Sequence, residues 1–206
     1  MSSIIDNASS ITYTRKVSIV QSLSHSGVRQ AQRRGPLLYS FDVDIVPMYF
    51  GSTKYYAIED EIMDSNYSAD TISTTITSGT LMDHRGVWDG TPVIDGASES
   101  GNQIDISTGS MATTNYGKKG DFVQFDNFSK VYQLTQNVHT DGAGKVTLHL
   151  NGAVPSTSSP VNGSAVVFGN SVIFKLALME RPEPKHAGNG IVYYSGAQFQ
   201  EVIEAN

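Results

Sequence analysis

From Gly120 to Pro155 the chain reads GDFVQFDNFSKVYQLTQNVHTDGAGKVTLHLNGAVP, and no other stretch restricts the fold as much. Phe122 to Phe125 is bulky and apolar. Asp126-Asn127 interrupts it with turn chemistry. Val131 to Val138 then alternates, with Tyr132, Leu134 and Val138 on one side and Gln133 and Thr135 on the other. Asp141-Gly142-Ala143-Gly144 supplies residues that tolerate positive φ. Val146, Leu148 and Leu150 follow on one face, with Thr147 and His149 on the opposite one. Period-two alternation on both sides of an Asp-Gly turn signals a hairpin. The expectation is an antiparallel meander of three short strands joined by two turns.

The rest of the chain reads as further β structure around one helix. Residues 1–9, small and polar, are expected as a loose arm. Ile11 to Leu23 has a β pattern. Residues 24–36, SHSGVRQAQRRGP, are polar, basic and punctuated by Gly27, Gly35 and Pro36, which predicts a loop. Leu37 to Val46 is a strand with Leu37, Tyr39, Phe41, Val43 and Ile45 on one face and Ser40, Asp42 and Asp44 on the other; Pro47 ends it. Residues 53–65 are the one good helix candidate. Tyr55, Ile58 and Ile62 recur at helical spacing, Glu59, Asp60 and Glu61 fill the outer face, and Ser52 or Thr53 serves as N-cap.

Residues 66–116 are predicted as a long polar insertion or hairpin within a single β-rich domain spanning 1–206. Either it hides short strands, such as Gln103 to Ser107, or it orders only against a neighbouring subunit, and the second is the expectation for part of it. Val166 to Met179 gives one or two strands bent at Gly169-Asn170, with Val172, Phe174, Leu176 and Leu178 on one face. RPEPKHAGN is a connector. Ile191 to Ile203 forms a terminal strand anchored by Phe199, Val202 and Ile203.

Composition narrows the function classes. Among 206 residues there is no cysteine, which removes disulfides, thiolate nucleophiles and cysteine-type zinc sites. A net charge of −6 gives the whole molecule no bulk attraction to nucleic acid or anionic membrane. The N-terminus MSSIIDNASS has neither a basic nor an apolar signal region, so a soluble chain finished in the cytoplasm is expected.

Candidate chemistry is sparse. His139 and His149 flank the Asp-Gly turn, where a two-histidine metal site competes with two exposed strand residues. Asp83, His84, Asp89 and Asp95 offer a carboxylate cluster binding calcium, an acid/base pair, or plain Asp-Gly turns. There is no G-x-S-x-G elbow and no phosphate-binding loop, since GKKGD at 117–121 has the wrong spacing. Neither a cofactor nor a metal is expected. Arg29, Arg33 and Arg34, with Arg15 and Lys16 nearby, form the basic cluster. It is read as phosphate contact, solvated loop, or an intersubunit strip facing carboxylates such as Asp42 and Asp44. Trp88, the single tryptophan, is either a core plug or an anchor at a subunit contact.

Three stretches together carry a resemblance: SGVRQAQRRGPLLYSFDVDIVPM at 26–48, GKKGDFVQFDNFSKVYQLTQNVHTDGAGKVTLHLNGAVP at 117–155, and SAVVFGNSVIFKLALME at 164–180. Their order resembles bacteriophage tail structural proteins of the tail-tube and baseplate type, namely the tube cap or initiator of contractile tails and the distal tail proteins of long flexible ones. The resemblance implies a mainly β, tail-tube-like sandwich or barrel with one short helix and extended hairpins. It implies rings, commonly sixfold, stacked with neighbouring tube and baseplate proteins around a lumen through which DNA passes without specific binding. Acidic residues facing that lumen would keep DNA from sticking. It places the protein in the virion tail, made in the bacterial host's cytoplasm.

Two other readings stand beside it. One is a β-sandwich receptor- or carbohydrate-binding tail module, with Trp88, Asp83, Asp89 and Asp95 as a sugar platform. The other is a hydrolase using His84 with Asp83 or Asp89.

Overall fold

The computed structural model describes residues 2–23, 29–64, 71–76, 81–109, 113–126 and 128–203. It is mainly β. A one-turn helix α1 (Ser3–Asp6) leads into β1 (Ala8–Leu23) and β2 (Arg29–Ile45). Then come β3 (Met48–Tyr49), α2 (Thr53–Asp64), β4 (Thr71–Thr75), β5 (Val93–Ile94), β6 (Gly101–Ser107), β7 (Phe122–Phe125), β8 (Val131–Gln133) and β9 (Lys145–Val154). The last third contains β10 (Val166–Phe168), β11 (Ile173–Glu180), β12 (Pro184–His186), β13 (Ile191–Tyr194) and β14 (Ala197–Glu201). A five-stranded sheet has the order β1-β2-β14-β11-β4. Three three-stranded sheets, β10-β7-β8, β12-β13-β3 and β5-β6-β9, complete the described structure. All four sheets are open, so the barrel form of the expectation does not apply.

The layers follow from side-chain alternation. Tyr39, Phe41 and Val43 of β2, Phe174 and Leu176 of β11, and Phe199 of β14 share one face of the large sheet. That face is covered at one end by Ile58 and Ile62 of α2 and at the other by Phe122 and Val131. Strand β7 is buried on both sides. Phe122 belongs to this first core, while Val123 and Phe125 face a second one with Trp88, Tyr132, Ile104, Ile106 and Leu148. The bulky run at 122–125 is therefore the wall between two cores.

The helix lies where expected. Ser52 Oγ accepts from Tyr55 N at 3.2 Å. Ile58 and Ile62 are buried. Two of the three outer-face carboxylates are occupied. Glu61 takes Ser2 Oγ and Ile4 N, and Glu59 takes the Tyr194 hydroxyl. Glu61 thereby docks α1 onto α2 and buries Ile4 and Ile5, so residues 2–7 are anchored rather than a loose arm.

The meander is only partly realised. β7 and β8 pair antiparallel, and the turn at 141–144 forms, with Asp141 accepting from Ala143 N and Lys145 N. Beyond Gln133, however, the second strand leaves the ladder. β9 pairs with β6, and the residue after β8, Leu134, keeps one isolated bridge to Leu150. The partner of β9 thus comes from the region predicted as an insertion. The described parts of 66–116 are built into the fold: β4 closes one edge of the large sheet, and β5 and β6 help line the second core.

PKH at 184–186, expected within a connector, is a short strand paired with β13. Ile191 to Ile203 is two strands, and Phe199 alone of its three expected anchors is buried. The basic segment predicted as a loop is strand from Arg29 onward, with Arg29 opposite Leu23 and Arg33 opposite Ile19; residues 24–28 lie outside the described residues.

Candidate functional site

β1 and β2 are the longest strands, of 16 and 17 residues. Their proximal halves belong to the large sheet, where β14 pairs with β2 from Val43 to Ser40. Past Val17 and Leu37 the two strands pair with each other as far as Leu23 and Arg29, and among the described residues no further strand joins them. The result is a two-stranded ribbon running roughly 20 Å beyond the sheet, from about six residues at the usual rise. An isolated two-stranded ribbon has little stability of its own in water.

At the foot of this ribbon lies a groove of about 650 Å³. Arg15 reaches it because it is two residues beyond Tyr13, which packs on Tyr39, Phe41 and Phe122. Arg85, Lys118 and Lys119 enter from loops on the other side, and Leu37, Leu134 and Gln133 form part of the floor. No carboxylate is among the described residues lining the groove, and Arg85 Nε has buried Asp121 Oδ1 behind it at 3.8 Å. Among the described residues, Arg15, Lys118 and Lys119 have no ion-pair partner. The Gln133 side chain is 2 % exposed. Its Nε2 donates to the Tyr13 hydroxyl and to Gly120 O, while its Oε1 is buried with no donor.

Asp121 holds the loops that carry these cations. Its Oδ2 accepts from Trp88 Nε1 at 2.8 Å, Lys118 N at 2.9 Å and Gly86 N at 3.0 Å, and its Oδ1 accepts from Arg85 N at 2.9 Å. Burial opposes ionisation, but these donors outweigh it and hold the carboxyl below the usual aspartate range. Arg85 also donates to Lys119 O, joining the two loops at the rim. Gly86 is obligatory here: a Cβ would sit 2.4 Å from Tyr116 O and 2.6 Å from Gly117 Cα.

A second buried polar centre fixes β8 to β14 and β2. Lys130 Nζ meets Glu201 Oε2 at 2.7 Å and lies 4.6 Å over the Tyr39 ring. Glu201 also accepts from Val131 N and Tyr39 N. Burial nevertheless raises its carboxyl above the usual range, outweighing the attraction of Lys130.

The residues singled out from sequence do not converge. Trp88 is 4 % exposed, stacked on Phe168 at 4.6 Å, and so is a core plug rather than a contact anchor or a sugar platform. Asp89 accepts from its own neighbour Gly90 N, as in a turn. Asp95 pairs with Lys145 at 2.6 Å. Asp83 accepts from Asn170, and His84 packs edge-on against Phe168. Asp42 and Asp44 are engaged within the chain by Gln198 and Ser10. Arg29, Arg33 and Arg34 lie on the ribbon strand.

His139 and His149 do line one polar groove, of about 680 Å³, with Asp95, Asp105 and Lys145. His139 Nδ1 accepts from Asn115 N. No group of three His, Cys, Asp or Glu side chains among the described residues is placed to hold a metal.

Asp121, Lys130 and Glu201 were missed from sequence. Glu201 had a signal, since it shares the period-two face of Ala197 and Phe199 and must point inward.

No protein-family model matches the chain, and no curated protein matches its sequence. Among the described residues no helix is long and apolar enough to cross a membrane.

Proposed function

We propose that this chain is a non-enzymatic structural component of a bacteriophage virion. It forms a ring of like copies at the tail tube or baseplate end, through which DNA passes. The observation that carries the reading is the ribbon. Two long strands leave the sheet paired, among the described residues, only with each other, so both ribbon edges present backbone groups that no other described strand pairs. Such edges invite pairing with another chain, and closure around a ring satisfies them without leaving a new edge. Among the described strands, β1 and β4 are the two edges of the large sheet.

The test is electron microscopy and native mass measurement of the purified chain and of its parent particle. Rings of several copies are expected. A monomer under every condition, including in the particle, would remove the proposal. A companion variant joins Val17 to Leu37 through Asn-Gly and deletes 18–36. It should keep cooperative unfolding while losing assembly; intact rings from this variant would show that the ribbon is not what joins the copies.

A further inference from the structure

The groove at the ribbon foot gathers four cations on a chain whose net charge is −6. Like charges are not gathered on one concave surface at no cost, and an anionic occupant offsets their repulsion. Thr135 and Asn137, exposed on the groove wall, add a second feature, oxygens that can accept from a hydrogen-bond donor on the occupant. Leu37 and Leu134 add a third, an apolar contact.

One surface of the same molecule supplies all three. On α2, Tyr56, Asp60, Met63 and Asp64 recur at i, i+4, i+7 and i+8, which puts them on one stripe. All four are exposed, Tyr56 by 54 % and Met63 by 66 %. Unlike Glu59 and Glu61, Asp60 and Asp64 have no partner among the described residues. Asp64 closes a helix whose last turn contains no basic residue, where the helix dipole disfavours a carboxylate. The phenol of Tyr56 is the donor and Met63 the apolar contact.

The two surfaces cannot meet within one copy. The groove opens beside β1, whereas Asp60 and Asp64 lie near Ile72 and Ser73 of β4, at the opposite edge of the five-stranded sheet.

Building on the reading that the chain assembles with copies of itself, we propose that the Tyr56–Asp60–Met63–Asp64 face of α2 in one copy docks in the Arg15–Arg85–Lys118–Lys119 groove of the next. Because two different patches meet, the contact is head-to-tail, the kind that yields a ring when its rotation closes and a filament when it does not.

The experiment is charge reversal in the full chain, read by native mass spectrometry and sedimentation at low and high salt. Lys118→Glu with Lys119→Glu, and separately Asp60→Lys with Asp64→Lys, should each weaken self-association by about a hundredfold. Combining all four changes in one chain, or mixing the two double variants, should restore it. Tyr56→Phe should weaken it several-fold, about the loss of one hydrogen bond. Unfolding midpoints check that each variant folds, since the altered side chains lie at the surface.

If the wild-type chain assembles and the double variants assemble equally well, the docking proposal is overturned while the ring reading stands. Loss of assembly with no recovery on combination overturns it too. If the groove variant assembles normally but loses binding to a duplex DNA probe, the groove serves a polyanion and the proposal is again overturned. A wild-type chain that never self-associates removes the ring reading and this one with it.

Discussion

Asp121→Ala is the substitution whose cost the structure specifies best. One carboxylate accepts three backbone N–H groups and the Trp88 indole N–H, all between 2.8 and 3.0 Å. Alanine leaves these four donors without an acceptor. A stranded buried donor costs about 1–3 kcal/mol. Taking the low end, because the Arg85, Gly86 and Lys118 bonds lie partly at the surface, the loss is about 4–6 kcal/mol. That is a large share of the 5–15 kcal/mol typical of a domain. For a chain of this length it lowers the melting temperature by roughly 10–20 °C.

Asp121→Asn separates the hydrogen bonds from the general loss of a side chain. Placed with its oxygen at the Oδ2 position, asparagine keeps three donors and sets its NH2 against Arg85 N–H, for a loss of about 2 kcal/mol. Urea unfolding followed by emission of the single tryptophan reads the site directly, since Trp88 donates to Asp121. The depressed carboxyl also sets a pH signature. Its stabilisation is complete above the ordinary aspartate pKa near 4 and is lost as pH falls through the lower folded value. The Asn variant should therefore lose less stability below pH 4 than the parent. An alanine variant that loses under about 1 kcal/mol, or equal losses for Ala and Asn, would refute the idea that these bonds hold the loops.

Other substitutions test the same framework. Gly86→Ala should cost about 2–3 kcal/mol by forcing two backbone segments apart. Gly142→Ala, where a Cβ meets nothing within 4 Å, should stay within about 0.5 kcal/mol; equal midpoints in urea would refute the close-approach account. Lys130→Met leaves Glu201 buried without its cation and should cost about 3–5 kcal/mol. Adding Glu201→Gln should recover part of that loss, and simple additivity in the double-mutant cycle would show the pair is not coupled.

Much of the fold was legible in local pattern. Ile58 and Ile62 recur at helical spacing, Leu37 to Ile45 alternates, and Val172 to Leu178 puts four apolar side chains on one face; each takes the structure its period specifies. Pairing was less legible. The Asp141–Gly144 turn forms as its residues dictate, yet a reversal of direction does not choose a partner. Strand β6, from the polar stretch before it, takes the edge of β9. Ribbon residues 29–36 misled for the complementary reason. Gly, Pro and Arg suggest a loop, but an antiparallel neighbour supplies the hydrogen bonds that make them strand. The candidate site was the least visible. Arg15, Arg85 and Lys118 are far apart in sequence, and their meeting depends on how Asp121 folds its loops together.

Periodicity and turn chemistry, both properties of neighbouring residues, settled the class of this fold, its longer helix and most of its strands, while the lack of cysteine excluded thiol chemistry. The order of strands, the two cores on either side of Phe122–Phe125, and the gathering of cations at the ribbon foot were decided by tertiary structure. Those features rest on contacts between residues tens of positions apart, and burial energy selects among such contacts only when the whole chain competes for the same space.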